Sequence, residues 1–173
     1  MAPMAHARAK AAVGSITFLV AVPGTVAGLI PWLLTGWKSS DPPAAVGVMG
    51  ALLIAAGLAV LLHAFARFVM EGIGTPAPVA PTQSLVVGGL YRHVRNPMYI
   101  AVAAVIVGQA LLLGRTELLV YAVAFMAAVT TFVRLYEEPV LSRRFGDEYE
   151  RYRRAVPAWR PRLRGCVNGS RHA

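Results

Sequence analysis

Four long apolar blocks limit what this chain can fold into. They run from about Ala11 to Leu34, from Ala44 to Met70, from Pro97 to Leu113 and from Leu118 to Tyr136. A helix needs about 20 apolar residues to cross the hydrocarbon core of a bilayer, and the first two blocks are ample while the last two are slightly short. The sequence therefore predicts an all-α, polytopic membrane protein with about four transmembrane helices.

The composition agrees with that prediction. Hydrophobic residues make up 57% of the 173 residues and charged residues 14%, whereas soluble domains average roughly 45–50% and about 25%. Most of the net charge of +9 lies between residues 143 and 171, beside an apolar block. Such a segment favours contact with anionic lipid, and the aromatic β platform of an RNA-binding domain is missing from the pattern. We therefore expect no nucleic-acid partner. A single cysteine, Cys166, excludes an internal disulfide and a multi-cysteine metal site.

The basic residues predict the orientation. With an even number of spans both termini share one side, and only Lys38 and Arg115 lie on the other, which leaves 15 of the 17 basic residues near the termini. The positive-inside rule then places both termini in the cytoplasm. We expect the chain to be an integral protein of the cytoplasmic (inner) membrane.

The connecting segments predict one domain over residues 1–164. A tight turn at 114–117, with Thr116 placed to cap the fourth helix, joins the last two blocks into a hairpin. Pro139 is expected to open an amphipathic cytoplasmic helix, because apolar residues recur there at helical spacing: Leu141, Phe145, Tyr149, Tyr152 and Val156. The spacing of Gly24 and Gly28 fits either a close helix contact or chance. Residues 165–173 show no pattern, and we expect them to be disordered.

Two polar clusters flank the predicted hairpin, at residues 91–99 and 137–139. The open end of the hairpin brings them together. Each also has a structural explanation: Asn96 and Pro97 suit a helix start, and Glu138 suits the positive end of a helix dipole. Glu137 lacks such an explanation, and ionisable groups at the end of an apolar helix are costly enough to suggest a function. Arg134 is explained equally well by the membrane surface or by catalysis.

These residues carry a family resemblance. The stretches Gly88-Gly-Leu-Tyr91, Arg95-Asn-Pro-Met-Tyr99 and Glu137-Glu-Pro-Val-Leu141, followed by Phe145, Gly146, Tyr149, Tyr152, Val156 and Pro157, resemble the isoprenylcysteine carboxyl methyltransferase and phospholipid methyltransferase group. The signature of that group is Arg-His-Pro-x-Tyr, then Glu-Glu-x-x-Leu-x-x-x-Phe-Gly-x-x-Tyr-x-x-Tyr and a Val-Pro. The resemblance covers residues 83–162, about half of the chain.

The resemblance implies an S-adenosyl-L-methionine-dependent methyltransferase that acts on a lipophilic substrate. It implies cofactor contacts in the cytoplasmic loop and at the acidic pair, namely Gln83, Ser84, Leu85, Val86, Tyr91, Arg95, Asn96, Pro97, Met98, Tyr99 and Glu137. Glu138 and Arg134 are the implied catalytic residues, although the group's substrate-binding Arg falls at Val133, one position earlier. Asn96 stands in place of the motif His, and Asn cannot exchange a proton near neutral pH.

The chemistry leaves several acceptors open. A carboxylate acceptor, as in isoprenylcysteine methylation, needs no general base, whereas an amine or hydroxyl must lose a proton, with Glu138 or His93 as candidate bases. A phospholipid amine and a small lipophilic thiol are the alternatives. Two further readings compete: a nicotinamide-dependent reductase of the sterol type and a non-enzymatic membrane protein. Nothing in the sequence fixes the oligomeric state.

Overall fold

The described part of the chain is helical. The computed structural model describes residue 17, residues 20–72 and residues 85–162, and within these ranges it holds helices and turns but no β-strand. The helices are α1 (Val20–Thr35), α2 (Ala44–Gly72), α3 (Pro97–Leu113), α4 (Thr116–Phe132), α5 (Glu138–Phe145) and α6 (Asp147–Ala155). The all-α prediction is confirmed for these ranges, and the tail at 165–173 lies outside them.

Two helical stretches are long and apolar enough to cross a membrane. They are Ala44–Arg67, within α2, and Thr116–Phe145, which runs through α4 and α5. Only 17% of the most apolar part of each is buried, whereas the core helix of a soluble protein is mostly buried. Val120, Val123 and Leu135 are 71%, 71% and 76% exposed, an outward apolar face that suits lipid. α1 and α3 are shorter apolar helices, so four spans stay a prediction.

α2 and α3 approach more closely than larger side chains would permit. A Cβ atom at Gly50 would lie 2.5 Å from the backbone nitrogen of Leu112, and one at Gly108 would lie 2.8 Å from the carbonyl oxygen of Gly50. Small residues permit such approach, and the resulting van der Waals contact is a main source of helix association in a bilayer. Gly24 and Gly28 have open space where a Cβ atom would stand, so their spacing marks no helix contact among the described residues.

α1 contains a widened, π-helical turn at Thr25–Leu29, shortly before Pro31. The amide of Ile30 donates to the first carbonyl of this turn, and Pro31 has no amide hydrogen to donate. The carbonyls of Val26 and Ala27 therefore lose their usual α-helical partners.

Side chains from the neighbouring helices satisfy both carbonyls. Gln109 Nε2 of α3 donates to Ala27 O at 2.7 Å, and the Tyr121 hydroxyl of α4 donates to Val26 O at 2.8 Å. A buried carbonyl without a partner would cost free energy, most of all in a bilayer. These two hydrogen bonds therefore fix α1 against the hairpin of α3 and α4.

The predicted turn between α3 and α4 is present, with one correction. Gly114 ends α3 at φ +66°, a left-handed conformation that glycine adopts without strain. Only Gly114 and Arg115 lie between the two helices, so Arg115 is the N-cap residue of α4 and Thr116 is already helical. The prediction that Thr116 caps the helix is wrong. Arg115 Nε donates to Lys38 O at 3.0 Å, so the two basic residues predicted on the non-cytoplasmic side share one end of the molecule.

The sequence predicted a break in the helical path before Pro139, and the structure has none there. α4 leads through a second π-helical turn, Val133–Glu137, in which the amide of Glu138 donates to the carbonyl of Val133, and passes directly into α5. The wider turn accommodates a proline that lacks an amide hydrogen and whose ring crowds the preceding turn. The break comes instead at Gly146, at φ +51°, so the predicted amphipathic helix consists of two helices, α5 and α6.

Candidate active site

The segment before α3 is fixed against α2. Val86 and Tyr91 are buried with Ala64 of α2 in one apolar cluster. A 3-10 turn at Gly89–Arg92 follows, and Gly89 adopts φ +56°. A Cβ atom at this glycine would lie 3.2 Å from Cγ of Arg67. Glycine is therefore favoured here both by the backbone conformation and by the close approach to α2.

The start of α3 follows the predicted pattern but uses one side chain differently. Asn96 is the N-cap residue and Pro97 occupies the first turn, yet the Asn96 side chain makes no capping hydrogen bond. Its Nδ2 donates instead to the carbonyl of Ala158, at 3.2 Å. Tyr99 lies one turn into the helix, which brings it near the acidic pair.

The first contact between the two clusters is a buried ion pair. Arg95 Nη1 lies 2.7 Å from Glu138 Oε1, and the two side chains are 12% and 13% exposed. The second oxygen of Glu138 lies 3.6 Å from Arg153 of α6. Arg95 Nη1 also donates to the Tyr149 hydroxyl at 3.1 Å. Both oxygens of Glu138 therefore face cations.

The second contact is a hydrogen bond from a phenol. The Tyr99 hydroxyl donates to Glu137 Oε2 at 3.2 Å. Consecutive helical residues point in different directions, so Glu137 faces Tyr99 and Glu138 faces Arg95. Arg95 and Tyr99 stand four residues apart. Because the two acids face different partners, they are not equivalent.

Two tyrosines of α6 close the arrangement from the C-terminal side. Burial raises the pKa of Tyr149 and of Tyr152 above the usual range, so both phenols stay neutral at physiological pH. The Tyr152 hydroxyl donates to the carbonyl of Tyr91 at 2.8 Å. Two members of the predicted apolar stripe, Tyr149 and Tyr152, therefore contact the loop, and Tyr149 is only 2% exposed.

Residues 156–162, here called the strap, run along the loop that precedes α3. The amide of Arg95 donates to the carbonyl of Pro157 at 2.9 Å, and the amide of Arg162 donates to the carbonyl of His93 at 3.0 Å. The strap places the Trp159 ring 6.4 Å from the Tyr99 ring, centroid to centroid, with the planes tilted by 44°. An aromatic pair therefore flanks the side of Glu137 that binds Tyr99.

The sequence-predicted residues fall into three groups. The structure brings together the polar members of both clusters, which are Arg95, Asn96, Tyr99, Glu137 and Glu138. It places the apolar members behind them, with Val86, Tyr91 and Pro97 buried and Leu85 and Met98 half-buried. The Arg134 side chain is exposed on the π-helical turn and makes no hydrogen bond or ion pair with the described residues. Gln83 and Ser84 lie outside the described ranges.

Arg153 and Trp159 belong to the site although the sequence did not single them out. Arg153 lies three residues after Glu150, with which it also forms an ion pair at 3.6 Å, so its sequence position suggested only a solvated helix face. Trp159 lies beyond the last helix, in a segment without periodicity. No sequence signal would have placed it beside Tyr99.

A comparison with known families identifies the chain. The model of the phospholipid methyltransferase family matches residues 45–148. The chain belongs to this family. The matched region contains α2 except for its first residue, the loop, the hairpin of α3 and α4, and both acids of the site. No curated protein and no solved structure matches the chain.

Family membership establishes the general class. The chain is a membrane methyltransferase, in agreement with its apolar helices. The resemblance that the sequence motifs suggested is confirmed at this level. The strap lies after the matched region, so its contacts with the loop are features of this chain and are not supplied by the family model.

Proposed function

We propose that this protein transfers a methyl group from S-adenosyl-L-methionine to a lipophilic acceptor at the membrane surface. The observation that carries the proposal is the joining of the two motif halves, through Arg95 to Glu138 at 2.7 Å and through Tyr99 to Glu137 at 3.2 Å. The two halves are about 40 residues apart in sequence, and in a member of a methyltransferase family their meeting point is where we expect the chemistry.

The residues at the meeting point fit a zwitterionic, cationic cofactor. Glu137 offers a half-buried carboxylate that accepts hydrogen bonds from an ammonium or a ribose. Arg95 Nε is buried and has no hydrogen-bond partner among the described residues, and such an orphan donor is costly unless a ligand or water satisfies it. It suits the cofactor's carboxylate. Tyr99 and Trp159 add aromatic faces, which attract cations and stack with bases.

The protein's main contribution is to hold and enclose the reactants. When bound, S-adenosyl-L-methionine supplies a methyl group already activated by its positive sulfur. Glu137 and Arg95 orient that group, and holding the reacting atoms in line lowers the barrier by removing an entropy cost. Tyr149 and Tyr152 exclude water, which strengthens the electrostatic interactions inside the site.

The state of Glu138 favours an acceptor that has no proton to lose. Because both oxygens of Glu138 lie in ion pairs, with Arg95 and with Arg153, neither is free to contact the proton of an acceptor. We therefore assign it a positioning role, as the anchor of Arg95, and we favour a carboxylate acceptor as in isoprenylcysteine methylation. The family's description favours the second candidate, a phospholipid amine.

The test uses purified protein, methyl-labelled cofactor and a total membrane lipid extract. We expect label in the lipid fraction with the parent protein and much less with Glu137→Gln. Alkali releases the label as volatile methanol from a methyl ester, whereas an N-methyl or S-methyl product keeps it. An alkali-stable product would replace the carboxylate by an amine or thiol acceptor. Binding of a reduced nicotinamide without a response to S-adenosylhomocysteine would overturn the methyltransferase proposal.

We further propose that the site faces the cytoplasm. Lys38 and Arg115 lie together at one end of the molecule, and most other basic residues lie toward the site. In a Cys166→Ser background, an impermeant thiol reagent should label Arg115→Cys from outside intact cells and leave Arg160→Cys unlabelled. The reverse pattern would contradict this orientation.

A further inference from the structure

We propose that the strap forms one wall of the cofactor pocket, that Trp159 contacts the adenosyl cofactor there, and that Asn96 is the positioning residue that fastens this wall. This inference rests on the proposed function for its ligand. The role of Asn96 rests on a hydrogen bond within the chain, so it can be measured without the ligand.

The strap is attached to the loop by backbone hydrogen bonds at both ends. The amide of Arg95 binds the carbonyl of Pro157 near its start, and the amide of Arg162 binds the carbonyl of His93 near its end. His93 Nδ1 lies 2.8 Å from the carbonyl of Arg162, a second contact at that end. Val156, where the strap begins, is 4% exposed. The strap is therefore held at both ends.

Asn96 fastens the middle. Asn is a favoured N-cap residue because its side-chain oxygen accepts amide hydrogens of the first turn, yet this side chain makes no capping bond. It directs its Nδ2 to the carbonyl of Ala158 instead, at 3.2 Å, and it is 8% exposed. The bond requires a side-chain N–H donor. An Asp of the same shape has no donor and would bring a negative charge against the carbonyl oxygen.

Fastening the carbonyl of Ala158 fixes the residue that follows it. Trp159 is half-buried, and its ring stands 6.4 Å from that of Tyr99, whose hydroxyl donates to Glu137 at 3.2 Å. Trp is the aromatic side chain with the strongest attraction for cations, and it also stacks with purine rings. A chain from Asn96 through Ala158 to Trp159 therefore links the N-cap residue of α3 to the aromatic side of the proposed pocket.

The experiment measures fastening and binding separately. Amide hydrogen exchange at Arg95 and Arg162 reports the strap, and isothermal titration with S-adenosylhomocysteine reports the pocket. Asn96→Asp should accelerate exchange at both amides and weaken binding about tenfold, which corresponds to about 1.4 kcal/mol. Asn96→His, which restores an N–H donor, should recover both. Trp159→Ala should weaken binding by a similar factor and leave exchange unchanged. Trp32→Ala, an exposed tryptophan at the other end of the molecule, is the matched control.

Each arm can overturn one part of the inference. Unchanged exchange in Asn96→Asp would remove Asn96 as the fastener. Parent-like affinity in Trp159→Ala would remove Trp159 from the pocket, and loss of binding in the Trp32→Ala control would show that any such loss is unspecific. If the parent protein binds no S-adenosylhomocysteine, the proposed function and the ligand of this wall both fail, while the exchange data still decide the role of Asn96.

Discussion

The two π-helical turns of this protein arise from the same local cause and are stabilised in different ways. Each turn lies two residues before a proline, Thr25–Leu29 before Pro31 and Val133–Glu137 before Pro139. The first is held through its backbone, by donors from Gln109 and Tyr121. In the described ranges no side chain donates to the corresponding carbonyls of the second turn. That turn is held through acidic side chains at its end.

The difference shows how one backbone irregularity serves two purposes. In the interior of the helix bundle the freed carbonyls must be satisfied by protein, because a bilayer offers no water to hydrogen-bond with them. At the end of α4 that requirement is weaker, and the turn instead aims Glu137 and Glu138 at Tyr99 and Arg95. π-helical turns of this kind are frequent at functional sites. Substitutions at the contacts of either turn, and at the contact that positions α3, test this difference.

The largest effect is expected from Arg95→Met. Breaking a buried ion pair leaves its partner uncompensated and costs about 3–5 kcal/mol of unfolding free energy. Arg115→Met is the matched control, because the Arg115–Glu117 pair is longer, at 3.7 Å, and its side chains are 27% and 53% exposed. It should cost only about 0–1 kcal/mol. Thermal unfolding in detergent compares the two variants. Equal losses of stability would contradict the difference between the buried ion pair of Arg95 and the exposed ion pair of Arg115.

The next effect separates the two acids. Hydrogen bonds to a charged group are worth roughly 1.5–3 kcal/mol, so Glu137→Gln should weaken S-adenosylhomocysteine binding by about tenfold to a hundredfold. Glu138→Gln should change binding much less and lower thermal stability more, because Arg95 would lose its charged partner. Titration and thermal unfolding of both variants measure this. If Glu138→Gln abolishes binding while Glu137→Gln binds like the parent, the roles are reversed.

A third prediction concerns the contact between α2 and α3. This contact positions α3, whose Gln109 binds the first π-helical turn and whose Tyr99 binds the second. Gly50→Ala places a Cβ atom 2.5 Å from the backbone of Leu112, and overpacking of this kind costs about 1–3 kcal/mol. Gly47→Ala adds the same atom where nothing lies within 4 Å. It should be neutral or slightly stabilising, since Ala favours helix over Gly. Parent-like thermal stability of Gly50→Ala would show that the helices separate without loss.

The smallest effect is expected at the first turn. Tyr121→Phe removes the hydrogen bond to Val26 O and should cost about 0.6 kcal/mol and at most about 1.7 kcal/mol, the average and the maximum for hydrogen bonds between membrane helices. Tyr136→Phe is the control, because Tyr136 is 48% exposed. The Tyr121→Phe variant should keep its affinity for S-adenosylhomocysteine. A loss of affinity would show that the first turn is coupled to the site.

Much of the fold follows from the sequence because apolar periodicity acts over short distances. The third block, Pro97–Leu113, was predicted with the bounds that α3 has, and the joining of α3 and α4 placed the two polar clusters together. Pro139 lies in the first turn of α5, as predicted, but the expected break before it is absent, because the rule that proline ends the preceding helix assumes ordinary α geometry. A π-helical turn removes that conflict, and the partners of its acidic side chains, Tyr99 and Arg95, lie about 40 residues away in sequence.

The strap was missed for a different reason. Its bonds join backbone groups of Arg95, Pro157, His93 and Arg162, and a backbone carbonyl carries no residue identity for a sequence pattern to reveal. The sequence pattern predicted that Asn96 caps α3. It does occupy the N-cap position, but its side chain binds the carbonyl of Ala158 instead of an amide of the first turn. Long-range contacts through the backbone are therefore the part of this site that only the structure shows.

The length of the stretch Thr116–Phe145 has a consequence for how an acceptor arrives. Its 30 residues extend for about 45 Å at 1.5 Å per residue, well beyond the roughly 30 Å of hydrocarbon. If Thr116 lies at one edge of the hydrocarbon, Glu137 and Glu138 lie just past the acyl chains at the other edge, at the depth of lipid headgroups. A lipid-anchored acceptor would reach them by lateral diffusion within one leaflet, while its lipid tail stays in the hydrocarbon of the bilayer. Its effective concentration would then be a mole fraction of the leaflet and would not depend on the volume of the cell.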